Sequence, residues 1–403
     1  MSDRGSLDRL LLCWGKTVDG APSSVYHPAL FHMLDVGHMA EALLQPPASP
    51  RWRLVLSRAL GVAADGLHLW VPALIAAHDI GKVSAAFQSS NKDQDARLIE
   101  AGFSFRGWPG DLKAHHTLVG QTAALFELAD EPLLGPQSPL PEMIAAHHGF
   151  FCDRITAHTL RGSIRRSEPA EWGALRRTAW EIITAHWPGI VNVAELRPGD
   201  VSAALMALTG FATLCDWLAS DEHVFRAACG IALEHYVHES RQRARTQAQR
   251  AGFIATTHGD APTAFAALFP DKRPVRPLQK AVDAVPAPLL AGPCLIVIEA
   301  PTGEGKTEAA LALAHRLAAA HGTDEMYYAL PTMATSNQMW QRVQEHLDKR
   351  LRLPGSVRLV HGQAYLMQDD LDVKPASGEG DAEGEDMIDW FSGRKRALVA
   401  PFD

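Results

Sequence analysis

His78 and Asp79 close an apolar run, Leu74-Ile-Ala-Ala-His-Asp-Ile-Gly-Lys82. An imidazole nitrogen beside a carboxylate oxygen is a mixed donor set that suits manganese, iron, cobalt, nickel or zinc better than magnesium or calcium. Alone, the pair reads equally well as hydrogen bonding at a helix end. Further donors follow along the chain: His32, His115 or His116, His147, His148 and Asp216. Each has a local reading as well. His32, in Phe31-His-Met-Leu-Asp35, packs beside or caps a helix. His147-His148-Gly149 fits a helix C-terminus, where imidazolium suits the dipole and glycine takes the left-handed position. Asp216 follows the apolar run 201–215, and a buried carboxylate is costly unless it has a partner, for which a metal serves.

Adjacent helical residues diverge by about 100°, so His78 and Asp79, or His147 and His148, can serve different ions. Two ions about 4 Å apart polarise a phosphodiester, lower the pKa of water and stabilise the leaving oxygen, with no protein nucleophile. Lys82 either orients a phosphate or is a solvated helix lysine. A second constellation is Ala300-Pro-Thr-Gly-Glu-Gly-Lys-Thr307, between an apolar run and a helical stretch. Backbone amides around Gly303 and Gly305 would cradle nucleotide phosphates. Lys306 would neutralise them, and the Thr307 hydroxyl would reach Mg²⁺.

The elements that must hold these groups fall into two grammars. Residues 1–250 read mostly as helices, with Val119, Ala123 and Phe126 on one stripe and Leu205, Leu208, Ala212 and Cys215 on another. Pro/Gly clusters at 46–50, 131–141 and 186–199 separate the helical runs. A basic segment, 241–250, leads into a Pro- and Ala-rich stretch at 261–293 that marks a boundary. Beyond it, strand-like runs at 294–299, 326–330, 357–360 and 397–399 and a helix at 306–320 predict a parallel α/β sheet. Residues 369–386 are acidic and Gly-rich and read as a disordered insertion.

The expected class is therefore α plus α/β: an all-helical metal-dependent domain at 1–255, a linker at 256–290, and a P-loop domain at 291–403. Among 403 residues the net charge is −8, so no global basic field marks a nucleic-acid binder, although a local groove can be basic. The five cysteines are scattered and form no CxxC pair, which predicts reduced thiols and a cytoplasmic protein. No signal pattern opens the chain. The charge-free stretch 201–215 falls short of the about 20 residues that span a bilayer, so no membrane partner is expected.

The donor spacing resembles the HD superfamily of metal-dependent phosphohydrolases. That resemblance assigns His32, His78, Asp79 and Asp216 to one ion, and His116, His147 and His148 to a second, with Asp79 bridging. Pro301-Thr-Gly-Glu-Gly-Lys-Thr307 resembles the form in superfamily 2 helicases. Arg276-Pro-Leu-Gln279 resembles the adenine-reading Q motif, and Ala329-Leu-Pro-Thr-Met-Ala-Thr-Ser-Asn337 resembles motif Ia. Joined, the two halves resemble the CRISPR-associated HD nuclease–helicase of type I systems. His27-Pro-x-x-Phe-His32, Ala146-His-His-Gly149, Asp216-Trp-x-x-Ser220, Leu359-Val-His-Gly-Gln-Ala364 and the tail from Trp390 to Phe402 carry the likeness further.

Membership implies metal-dependent degradation of single-stranded DNA, recruitment by the Cascade surveillance complex with its guide RNA, and ATP-driven translocation. The implied cofactors are two divalent transition-metal ions of the Mn, Fe, Co or Ni class, with ATP and Mg for the helicase part. Arg161, Arg165, Arg166 and the 241–250 arginines either guide the strand or are solvated helix faces. The chain reaches Asp403 with no Asp-Glu-x-His motif or second RecA-like domain, so it is expected to bind ATP at most and not to unwind DNA. Two other classes remain open: an HD phosphohydrolase acting on nucleotides, and a non-catalytic Cascade- or DNA-binding fragment.

Overall fold

The computed structural model describes residues 4–345, apart from 19, 49, 106–114, 150, 190–195, 252, 255–263, 273, 293, 322–327 and 331–332. Two units separate along the chain, Met1–Ala248 and Gln249–Asp403. The first begins with α1 (Arg4–Leu12) and an antiparallel hairpin of β1 (Trp14–Thr17) and β2 (Tyr26–Pro28). Then come α2 (Ala29–Leu44), α3 (Arg51–Leu60), α4 (Leu67–Ala76), a 3₁₀ turn (Ala77–Lys82), α5 (Ala85–Gln88) and α6 (Lys92–Glu100). The unit continues through α7 (His116–Phe126), α8 (Pro141–Ala146), α9 (Arg154–Ser167) and α10 (Ala170–His186). It closes with α11 (Val201–Ala219) and α12 (Leu233–Arg250).

α2 is the hub. All of its residues are buried, as expected of a helix apolar on nearly every face. It packs against α4 on one side and α11 on another. Fully burying a Leu or Phe stabilises by about 2 kcal/mol, so Phe31, Leu34 and Phe211 fix α2 and α11 firmly. These two helices carry His32 and Asp216. α11 extends to Ala219, past the stretch read from sequence, and is long and apolar enough by composition to cross a membrane. Leu208, Phe211, Ala212 and Cys215 are instead buried within the helical unit, while Val201 and Met206 stay exposed.

The chemistry-bearing turn is a sharp break in the helix. α4 ends at Ala76, and Asp79 leaves helical geometry with φ −106° and ψ 17°. Ser84 stops the turn by donating to the Gly81 carbonyl (2.7 Å) and capping α5 through the Phe87 amide. Gln88 ties β1 to this region by pairing with both backbone groups of Trp14 and donating to the Lys82 carbonyl. α7 lies backbone-to-backbone on the turn: a Cβ on Gly81 would collide with the His116 carbonyl and the Gly120 amide. Neither obstacle is a flexible side chain. Gly81→Ala is therefore expected to lower stability by at least about 3 kcal/mol, read as a drop in the urea midpoint. An unchanged midpoint would show that α7 is free to retreat.

The second unit contains α13 (Phe265–Leu268), α14 (Pro277–Ala284), α15 (Lys306–His321) and α16 (Met333–Glu345). Phe265, Leu268, Val282, Ala309 and Ala312 form its core. The expected strands are described only in part. Residues 294–299 and 328–330 carry no strand ladder, and the β1–β2 hairpin is the only sheet among the described residues. A parallel strand needs hydrogen-bonded neighbours and covered faces, whereas Leu295 and Val297 are 90% and 72% exposed. The strand runs at 357–360 and 397–399, the acidic segment 369–386 and the motifs from Leu359 and Trp390 lie outside the described residues.

Candidate metal centre

Two histidines have their tautomers set by their own backbone. His78 Nδ1 donates to the Ile75 carbonyl (3.0 Å), and His147 Nδ1 donates to the Ile144 carbonyl (2.8 Å). Each bond spends the Nδ1 proton and leaves Nε2 with a lone pair, the usual way a protein orients a metal-binding imidazole. Both Nε2 atoms are buried and make no hydrogen bond. His116 Nε2 and Asp79 Oδ1 are also buried without a hydrogen-bond partner. Such orphaned groups are costly in a core. Here they face one another.

Asp79 stands between two histidine sets. Its Oδ2 lies 3.3 Å from His32 Nε2 and 3.3 Å from His78 Nε2, while its Oδ1 lies 3.2 Å from His116 Nε2 and 3.6 Å from His147 Nε2. Asp216 Oδ1 completes the first set, 3.1 Å from His32 and 3.8 Å from His78. His148 completes the second, its ligand atom within 4.8 Å of those of His116 and His147. The donors therefore form two adjacent clusters that share a carboxylate, and both fit a divalent ion. His115 lies outside them: it is exposed at the start of α7 and its Nδ1 pairs with Thr117 Oγ1 (2.9 Å).

The elements explain the convergence. The kink at Asp79 turns its carboxylate away from the helical course of His78. His147 sits at the C-terminal end of α8, and Gly149 takes φ 92° just beyond it. Thr213 of α11 donates to the His147 carbonyl (3.0 Å), which links that loop to the helix carrying Asp216.

Burial opposes ionisation of Asp79, yet the Lys82 ammonium and the surrounding imidazoles hold its carboxyl well below the ordinary range. Asp216 behaves alike, with burial outweighed by His32 and His78. Both are ready to accept a cation. Burial lowers His32 and His116, and burial with the neighbouring His147 and His116 brings His148 down to about 4. His78 is raised, because the charge of Asp79 overcomes burial.

For a lowered histidine the unfolded chain protonates first. Its contribution to stability is whole above pH 6.5 and is lost as pH falls from there toward about 4 for His148. His78 works in the opposite direction, outnumbered. In EDTA, the melting temperature should fall between pH 7 and pH 5, and a flat profile over that range would contradict these environments.

Lys82 is not solvated. Its Nζ lies 2.7 Å from Asp79 Oδ2 and 3.3 Å from the Gly15 carbonyl. Sequence reading missed a companion, Lys16 of β1, which donates to Ser220 Oγ (2.7 Å), itself a donor to Asp216 Oδ1 (3.0 Å). Burial lowers the Lys16 ammonium, countered by the charge of Asp216. No spacing rule links a lysine in a four-residue strand to a serine 204 positions on.

In the second unit, Gly303 and Gly305 both take positive φ, 86° and 83°, as a phosphate loop requires. The loop opens α15 and borders a cleft of about 730 Å³ lined by Arg276, Gln279, Lys306 and Thr307. Gln279 packs on Gly305, and its Oε1 accepts from the Arg276 amide (3.0 Å). Lys306 bends back to the Ala300 carbonyl (2.5 Å). Arg276 reaches the Gly303 carbonyl.

A helical bundle closing histidines round an HD pair, in a chain whose second unit carries a glycine-rich loop opening a helix, defines an HD-domain protein. The family model for the Cas3 HD domain matches residues 14–225, and the chain belongs to that family. It is 34% identical over 97% of its length to the CRISPR-associated endonuclease/helicase Cas3 of Thermus thermophilus, covering 42% of that protein. With the Escherichia coli K12 Cas3 the identity is 27%, over 87% of this chain and 41% of the relative. The crystal structure of T. fusca Cas3-AMPPNP superposes with a TM-score of 0.70 at 25% identity, covering 97% of this chain and 43% of that one. The chain thus spans under half the length of the relatives it matches.

Proposed function

We propose that the first unit is a divalent-metal nuclease acting on single-stranded DNA in CRISPR interference, recruited by the Cascade complex with its guide RNA. The observation that carries this reading is the shared carboxylate, with Asp79 presenting one oxygen to each histidine cluster. His32, His78, Asp79 and Asp216 would hold one ion, and Asp79, His116, His147 and His148 the other. The mixed N/O donors favour Mn, Fe, Co or Ni. When bound, the pair would polarise a phosphodiester and lower the pKa of water.

The chain's own contribution is positional. The Ile75 and Ile144 carbonyls fix the two imidazole tautomers. Lys82, released from Asp79 once that carboxylate has another cation, would contact the phosphate that enters. Lys16 would supply positive charge on the Asp216 side. Arg165 and Arg166 on α9 present a basic face for the strand, whereas Arg243 is engaged with Glu239 (2.6 Å). The decisive experiment is cleavage of circular single-stranded DNA with Mn²⁺ or Co²⁺. Turnover of free cyclic nucleotides without DNA cleavage would overturn the reading in favour of a nucleotide phosphohydrolase.

The second unit we assign to ATP, with Gln279 reading adenine, Gly303, Gly305 and Lys306 on the phosphates, and Thr307 on Mg. A charge-assisted bond is worth about 1.5–3 kcal/mol. Lys306→Ala should therefore weaken binding of a fluorescent ATP analogue by roughly ten- to a hundredfold. Equal affinity in both proteins would remove the loop from nucleotide recognition.

A further inference from the structure

Away from the HD pocket, His38 and Glu41 of α2 and His186 at the end of α10 bring their ligand atoms within 4.8 Å of one another. His38 is 1% exposed and Glu41 8%. Proton counting shows what this point lacks. Asp35 accepts from Tyr236 (2.8 Å to each oxygen) and from Ser240 Oγ (2.5 Å). Ser240 has one proton, and it is spent on Asp35. Ser240 Oγ must then accept from His38 Nδ1 (2.8 Å), so the lone pair of His38 lies on Nε2.

That lone pair lies 2.8 Å from His186 Nε2, which also faces the guanidinium of Arg241 at 3.2 Å. If His186 Nε2 carries a proton for His38, it opposes the Arg241 donor. If it does not, two lone pairs oppose each other. Glu41 Oε2 adds a carboxylate oxygen, 3.1 Å from Trp187 Nε1 and 3.4 Å from Arg241. Two imidazole nitrogens and a carboxylate oxygen converge with at most one proton between the nitrogens, and a cation in their midst satisfies all three.

We infer that His38, Glu41 and His186 form a divalent-cation site of the zinc or nickel class, separate from the HD pocket, in which the ion takes the place of the Arg241 guanidinium. The site would clamp α2 to α10. Two imidazoles and one carboxylate leaving a position open to solvent is an established three-ligand pattern for such ions. Ser240 and Asp35 orient His38 from behind, as supporting groups do for metal-bound imidazoles. Ligand bonds of about 2.0–2.1 Å require the two nitrogens to part by about half an ångström. Arg241 is 41% exposed at its side chain and has room to leave.

The test is Co²⁺ titration of the Asp79→Ala chain, which removes the carboxylate shared in the HD pocket, followed by visible absorption read as the difference from the same chain carrying His186→Ala, so that cobalt on the remaining HD histidines cancels. The expected result is an intense four-coordinate cobalt band in that difference. Zn²⁺ should raise the melting temperature by several degrees more with His186 present than with His186→Ala. Arg241→Ala removes the competing cation and should tighten Co²⁺ binding by roughly tenfold. This gain cannot come from misfolding. Identical cobalt spectra with and without His186, or an Arg241→Ala affinity no better than the parent's, would overturn the assignment.

Discussion

Asp79→Ala should reduce Mn²⁺-dependent cleavage of circular single-stranded DNA by at least about a thousandfold, equivalent to about 4 kcal/mol of transition-state stabilisation. The size follows from position. Among the described residues, Asp79 is the one carboxylate within reach of both histidine clusters, with His32 and His78 at 3.3 Å on one side and His116 at 3.2 Å on the other. Losing it removes a ligand from each proposed ion and leaves Lys82 without its 2.7 Å partner. An uncompensated ammonium would then repel both cations. His115→Ala is the matched control, since that exposed imidazole bonds only Thr117 within the described contacts. The control should cleave at nearly the parent rate. Initial rates at saturating Mn²⁺, with melting curves to confirm folding, check both, and appreciable cleavage by Asp79→Ala would remove the carboxylate from the chemistry.

Arg176→Met should cost about 3–5 kcal/mol of stability, the expected penalty for breaking a buried ion pair by removing one partner. Arg176 of α10 is buried and donates to Glu127 (2.7 and 2.8 Å), Glu168 (2.6 Å) and the Val83 carbonyl (2.9 Å). Burial alone would lower its pKa, but Glu168 and Glu127 raise it above the usual arginine value. Without the guanidinium, Glu168 is left 3% exposed, with the Ala85 amide as its remaining partner (2.8 Å). Val83 and Ala85 directly follow the turn that carries His78 and Asp79, so cleavage should fall along with stability. Arg176→Lys should rescue only part, because a single ammonium cannot replace the planar fork. Urea unfolding in EDTA is the measurement. A loss under about 1 kcal/mol would mean that the pair is no better than a surface one.

The sequence showed most clearly those groups whose burial is tolerable only with a partner. Imidazoles and acids in apolar surroundings at 32, 78, 79, 147 and 216 need such partners, and they find one another across four elements. The phosphate loop was equally plain, since glycines at 303 and 305 meet a positive-φ requirement that other residues resist. Less legible was anything that depends on a partner distant in the chain. Arg176 sits in an ordinary amphipathic helix, and only folding reveals that it faces two carboxylates. Lys16 and Ser220 meet because the hairpin lies against the end of α11. Residues 294–299 are legible only in part: the apolar run predicts a strand, but a ladder requires neighbours, and the runs at 357–360 and 397–399 lie outside the described residues.

Electron paramagnetic resonance of the Mn²⁺-loaded chain tests the shared carboxylate most directly, made in a His186→Ala background so that the site on α2 and α10 does not contribute. The account predicts a spin-coupled pair of manganese ions, converted to isolated ions or lost altogether by Asp79→Ala. Isolated Mn²⁺ alone in the parent, at any loading, would contradict it.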